Sequence, residues 1–219
     1  MGFIGPKRWY DPPLPLDELP EVDAVVISHD HYDPLDYETV TALMKRGSMK
    51  WIVSLGVGAH LEYWGVDPSS LVELDWWEET ETKGVTFTAT PARHCSGRLY
   101  PSLNGGKTLW SGWSIAGNTH RVYFSGDTGF FDELVEIGER LGPFDLTLIE
   151  VGAYSSPARD VHLGPEQGVR AHQLVRGKVM LPVHWGLFGL NAHGWTEPAE
   201  RVLVAAANNG VTALSIRPG

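Results

Sequence analysis

The sequence predicts an α/β protein, a four-layer αββα sandwich, and three observations carry that prediction. Two segments, Leu109 to Ala116 and Arg121 to Ser125, read as a β-hairpin turning across Gly117 and Asn118. From Phe131 onward, short apolar runs alternate with segments of helical period, the pattern of βαβ units. Several apolar runs also stop at a histidine or aspartate with small residues close by. Hairpins followed by βαβ units are accommodated when two sheets stack and helices cover the outside. A chain of 219 residues, 42% apolar and 11% aromatic, has enough core for one domain over residues 1–219, a sandwich of two halves.

Residues 1–20 form a proline-rich arm: Pro6, Pro12, Pro13, Pro15 and Pro20 favour extended or turn backbone and carry Arg8, Trp9 and Tyr10 over the surface near the site. Val25, Val26 and Ile27 suit a strand buried on both faces. Leu35 to Arg46 puts Val40, Leu43 and Met44 on one helical face and stops at Gly47. Trp51 to Leu55 reads as a buried strand, followed beyond Gly56 and Gly58 by a short helix from Ala59 to Trp64. Val85, Phe87 and Ala89 alternate as one strand leading to His94. After the hairpin the prediction is a helix over Phe131 to Leu141, a strand over Leu146 to Val151 and a helix over Pro165 to Val175 with proline first. A strand over Val179 to Val183, a helix over Pro198 to Asn208 and a strand over Val211 to Ile216 complete the chain.

The chemistry gathers around AVVISHDHYDPLD, Ala24 to Asp36, where a strand stops and His29, His31 and Asp33 follow at alternate positions. Residues two apart on extended backbone project to the same side, so two imidazoles and a carboxylate can meet on one cation. That donor mixture suits zinc, iron or manganese. Three later stretches repeat the layout: VTFTATPARHCSG with His94, RVYFSGDTG with Asp127 and VMLPVHWG with His184. Each read singly is equally a loop histidine, a turn aspartate or a core histidine; together they place all donors just beyond strand ends, where open α/β sheets build their sites.

At these residues the chain resembles the metallo-β-lactamase superfamily, whose signature is His-x-His-x-Asp-His with a distant His, Asp and His. GPKRWYDPPLPLDELPEVDAVVISHDHYD, RHCSGR, LWSGWSI, VYFSGDTG, HLGPEQGVRAH, LPVHWGLF and WTEP are similar to the branch containing N-acyl-phosphatidylethanolamine phospholipase D and its bacterial relatives, with ascorbate-phosphate lactonases more distant. The resemblance implies one metal on His29, His31, His94 and Asp127, a second on Asp33, Asp127 and His184, and a hydroxide generated there as nucleophile. It implies that His162 faces the substrate, to stabilise developing charge or protonate a leaving oxygen. Two departures stand out. The family's histidine after the aspartate is Pro34 here, so zinc is expected in one tight site and one weaker second site. The family's strands upstream of GPKR are absent, so the N-terminal sheet is expected to lack part of its strands and the chain to associate as a homo-oligomer through what they leave open.

His193, Trp185 and Phe188 are candidate substrate-binding residues, with Trp195 nearby, although His193 reads equally as a loop-packing residue and the aromatics as core. His60, His120 and His172 read as structural, and Cys95 as a small buried filler. The leading expectation is a metal-dependent hydrolase with phosphodiesterase-like chemistry, Asp33 and His162 being the catalytic candidates. A lactonase, carboxylesterase or β-lactamase on the same fold is the alternative, and a non-catalytic metal-binding or scaffold protein is the third. The substrate is expected to be a small molecule. A net charge of -10 argues against nucleic acid and against anionic membrane surfaces. One cysteine, no apolar run of spanning length and no charged-then-apolar start point to a cytoplasmic protein without stable membrane insertion.

Overall fold

The computed structural model describes residues 9, 14–98, 105–154, 161–189 and 193–214. Two sheets stack in it. The smaller is parallel throughout, β1 (Ala24–Ile27), β2 (Lys50–Ser54) and β3 (Leu71–Leu74) lying in that order. The larger has seven strands: β4 (Glu79–Thr82), β5 (Val85–Thr90), β6 (Gly112–Ala116), β7 (Arg121–Phe124), β8 (Phe144–Glu150), β9 (Gly177–Val183) and β10 (Thr212–Ala213). They lie side by side in sequence order, antiparallel from β4 to β7 and parallel from β7 to β10. The expected hairpin is β6–β7, with the Gly117 amide donating to His120 O at 2.9 Å.

Alternation along the strands builds the layers. On β2, Trp51 and Val53 face α1 (Tyr37–Met44) and α2 (Gly58–Tyr63) in a cluster with Leu35, Val40, Leu43 and Leu61. Ile52 between them faces the other way and meets Leu74, Phe87, Ala89 and Trp113 in the seam between the two sheets. Beyond the larger sheet, Phe144, Ile149 and Met180 pack against Leu134 and Ile137 of α3 (Leu134–Leu141), Val169 of α4 (Pro165–Leu174) and Val202 of α5 (Glu197–Asn208). Helix, sheet, sheet, helix is the predicted four-layer order. Among the described residues no helix is long and apolar enough to cross a membrane.

Two helices start later than expected, the first of them where a side chain caps it. Asp36 accepts from the Thr39 amide at 2.8 Å and starts α1 at Tyr37 rather than Leu35. α3 begins at Leu134, three residues after Phe131. The sequence reading missed β3 and β4, and both are sheet edges. Glu79 to Thr82 is polar and largely exposed, so its backbone pairing with β5 leaves no apolar signature. Of the expected last strand, Thr212 and Ala213 pair with β9, and residues from 215 lie outside the described set, as does most of the arm.

Candidate metal centre

The C-terminal ends of β1, β5, β7, β8 and β9 point to one side of the sandwich, and each chain segment leaving them carries a candidate donor or its support. Tight turns make this possible. Gly126, before Asp127, sits at φ +57, and a Cβ there would lie 2.6 Å from Ser111 O and 2.9 Å from Ser28 Cβ. Gly152 is crossed so closely by the backbone of His184 that a Cβ would come within 1.8 Å of its carbonyl oxygen. His184 itself holds φ +61, an uncommon conformation for a residue with a side chain.

His29, His31, His94 and Asp127 converge. His29 Nε2 is 2.9 Å from His31 Nδ1, His94 Nε2 is 3.2 Å from the same atom, and Asp127 Oδ2 lies 3.6 Å and 3.9 Å from His29 and His94. Donors arranged tetrahedrally at about 2.0–2.1 Å from a zinc ion lie about 3.3 Å apart, and the observed separations bracket that value. Tautomers agree: His94 Nδ1 donates to Val161 O at 2.8 Å, which leaves Nε2 as a lone pair toward the cluster, and Ser28 Oγ partners His29 Nδ1 at 2.9 Å. Burial, then repulsion from His94 and His31, holds His29 well below its usual pKa. Burial likewise lowers His31 and takes His94 down to about 4. All three therefore offer neutral nitrogen at pH 7. Burial also pushes Asp127 up to about 7, His184 opposing and Glu150 and Asp33 reinforcing the rise. Neutral imidazoles packed edge to edge beside crowded carboxylates are what a divalent cation would stabilise, so the residues fit a metal.

Asp33, Asp127 and His184 form a second grouping around the shared Asp127. His184 Nε2 is 3.1 Å from Asp33 Oδ2 and 3.5 Å from Asp127 Oδ2. Beneath them lies Glu150, the last residue of β8 and fully buried. Its Oε2 accepts from His184 Nδ1 at 3.1 Å and His162 Nδ1 at 2.9 Å, and its Oε1 from the amides of Thr128 at 2.5 Å and Leu163 at 3.3 Å. Burial would raise Glu150, but the hydrogen bonds from His162 and His184 outweigh it and hold the carboxylate below its usual range. Burial would lower His184, but Asp127, Asp33 and Glu150 outweigh it and raise its pKa well above the usual value.

A cavity of about 330 Å³ opens on this second grouping. Asp33, Asp127 and His184 form one wall, and Trp185, Phe188 and His193 line it too. Trp9 of the arm also lines it, its amide donating to Leu187 O at 2.9 Å. Pro34, beside Asp33, is at the wall without a donor atom. His193 stacks on Tyr154 with ring centroids 4.4 Å apart. Trp185 serves two ends, lining the cavity and packing on the core behind it.

Histidines read as structural are placed away from the cluster: His172 is buried against Thr147 Oγ1 at 2.7 Å, and His120 pairs with Thr119 on the surface. His60 partners Asp30 at 3.3 Å. Cys95 corrects the buried-filler expectation. It is exposed, its Sγ 4.0 Å from His31 Nε2, because the His94 turn places alternate side chains outward. Three supporting residues were missed by sequence reasoning. Glu150 ends the run LTLIE in the same run-then-donor layout as the others. Asp30, between two of the histidines, accepts from the Gly97 amide at 2.6 Å. Arg98, inside RHCSGR, donates to the carbonyls of Asp30, His31 and Leu35 at 3.0, 3.1 and 2.6 Å and so clamps the His29–Asp33 loop.

Two stacked sheets between helices, with imidazoles and carboxylates gathered at one end of the strands, define a domain of αββα architecture with a candidate metal centre. The chain belongs to the metallo-β-lactamase superfamily: the family model described as the Beta-lactamase superfamily domain matches residues 1–185. An uncharacterized protein of Mycobacterium tuberculosis is 48% identical over 219 residues, 99% of this chain and 58% of that one. The N-acyl-phosphatidylethanolamine-hydrolyzing phospholipase D 1 of Caenorhabditis elegans is 39% identical over 213 residues, 92% of this chain and 59% of that one. The chain thus spans somewhat over half the length of these relatives. Among solved structures, the isothiocyanate hydrolase from Delia radicum gut bacteria superposes with TM-score 0.72 at 20% identity, over 94% of this chain and 78% of the other. CmlA, a diiron β-hydroxylase from Streptomyces venezuelae, gives TM-score 0.71 at 19% identity, over 92% of this chain and 45% of the other. These two show the fold alone.

Proposed function

We propose that this chain is a zinc-dependent phosphodiesterase acting on a small-molecule ester with an apolar part. The observation that carries the reading is the pair of donor groupings sharing Asp127, opening on a cavity walled by aromatic side chains. Its relation to a phospholipase D supports the choice of a phosphodiester. His29, His31 and His94 with Asp127 would hold the tighter ion, and Asp33, Asp127 and His184 a looser one, since Pro34 adds no donor. When bound, the ions supply a water acidified to near neutrality and polarise the bond under attack.

The chain's own residues do the rest. Trp185 and Phe188 receive the apolar part of the ester and exclude water from the reacting end. His193, held by Tyr154, meets the substrate at the same wall. In the metal-free protein burial would raise Asp33, but the His184 hydrogen bond outweighs it and keeps the carboxylate ionised, the form in which it would ligate the looser ion. The costly polar cluster argues against a scaffold role, because uncompensated buried charge destabilises a fold that gains nothing from it. The single cysteine suits the cytoplasm. β1 is an edge of its sheet among the described residues, and an edge strand can pair with a second copy, which supports a homo-oligomer; a stable monomer in light scattering at low micromolar concentration would remove that part.

The functional test is a turnover panel on the zinc-loaded protein with bis(p-nitrophenyl) phosphate, a lactone, a simple ester and a cephalosporin. The phosphodiester should turn over fastest. Fastest turnover of the lactone, ester or cephalosporin would move the chain to carbonyl hydrolysis on the same site.

A further inference from the structure

We infer that His162 is a metal ligand, completing the second centre beside Pro34 rather than facing the substrate. The inference rests on the metal-dependent reading above and concerns which residues of this chain make the centre. Among the described residues, and without His162, Asp33 and His184 are the donors this centre has to itself, since Asp127 is shared with the first. Counting the shared Asp127, the second centre has three protein donors, and a fourth would close the tetrahedron that zinc prefers.

Three observations place His162 in the gap. Ligand atoms of Asp127, His162 and His184 all lie within 4.8 Å of one another. The two imidazoles are built as a pair: both Nδ1 atoms hydrogen-bond the same oxygen of Glu150, and the rings stack at 5.4 Å and 15°. A carboxylate that accepts from Nδ1 fixes the proton there and leaves Nε2 as the lone pair, the arrangement that commonly backs a metal-bound histidine. Glu150 therefore prepares His162 as it prepares His184. Finally, His162 is not among the residues lining the cavity that Asp33, Asp127 and His184 share. It packs edge-on against His94 with centroids 5.0 Å apart, between the two donor groupings. The next amide, Leu163, donates to Glu150 Oε1 just before Pro165 opens α4, so the backbone carrying the ring is held by the same carboxylate.

The direct test uses the intact wild-type chain with histidine labelled in nitrogen-15 and loaded with cadmium-113 alone. A resolved cadmium–nitrogen coupling at His162 Nε2 is expected, alongside those of His29, His31, His94 and His184. Absence of coupling at His162 when the other four show it would overturn the inference and leave the functional reading standing. Absence at all five would overturn both. Zinc titration of the metal-free protein adds a second readout. His162→Ala should keep the first ion and weaken the second at least tenfold, and adding Pro34→His to that variant should recover most of the loss. A folded His162→Ala protein that binds two zinc ions with wild-type affinities would overturn the assignment.

Discussion

Replacing Glu150 with glutamine changes one atom in the most heavily used side chain of the site. Each carboxylate oxygen accepts from two donors, Oε2 from His162 and His184 and Oε1 from the amides of Thr128 and Leu163. Glutamine has only one acceptor oxygen, so whichever way its amide turns, its NH2 faces two N–H donors. Two charge-assisted hydrogen bonds are lost, each contributing about 1.5–3 kcal/mol, a gross loss of about 3–6 kcal/mol. Relief from burying a charge offsets part of that, and a net destabilisation of about 2 kcal/mol or more is expected. If the amide turns toward the imidazoles, their tautomers also lose their anchor, and zinc affinity at the second centre should fall by about 10–100-fold. Urea unfolding of the metal-free protein reads the first effect and zinc titration the second. A Glu150→Gln variant within about 0.5 kcal/mol of wild type and with unchanged zinc affinity would refute the role given to this carboxylate.

Further outcomes are expected. Ile52→Ala opens a cavity in the seam between the sheets and should cost about 2–5 kcal/mol in urea unfolding, with zinc binding retained; a loss below about 1 kcal/mol would mean the seam is not a packed core. His31→Ala should abolish turnover and release the first ion, and wild-type turnover in that variant would end the metal mechanism. In the metal-free protein Asp127 is raised from 3.8 to about 7, so its stabilising contribution is complete below the lower value and lost as pH rises through the upper one. Asp127→Asn should therefore lose less stability than wild type between about pH 5 and 8 in thermal unfolding, and equal losses would contradict the burial assigned to it. Trp185→Ala or Phe188→Ala should raise KM for an ester with a long apolar part more than for one without it; equal changes for both esters would place the aromatics outside the binding wall.

Buried strands were legible because both of their faces need apolar side chains: Val25 to Ile27, Trp51 to Val53 and Leu146 to Ile149 are visible as runs before any contact is known. The donors were legible only together: each read singly passes for an ordinary loop, turn or core residue, and it is four such placements just beyond apolar runs that point to one site. β3 and β4 escaped because edge strands are defined by backbone pairing, and the Glu79 to Thr82 side chains point largely to water. Glu150 escaped because it is the last residue of its strand instead of one beyond it, and a carboxylate inside an apolar run reads as an interruption until its four donors are seen. His162 shows the remaining gap. Its presence was evident from HLGPEQ, but which of its nitrogens is protonated is set by Glu150, twelve residues away and on another element.

The central claim, a hydrolase whose activity depends on metal held by two groupings around Asp127, is tested most directly by counting metal and turnover together. Elemental analysis of purified protein, of protein stripped by chelator and of stripped protein given back zinc should be paired with phosphodiester hydrolysis on the same samples. The account predicts up to two ions per chain, loss of hydrolysis on stripping, and recovery that follows zinc restored to the site. Hydrolysis that persists at full rate in metal-free protein would contradict it.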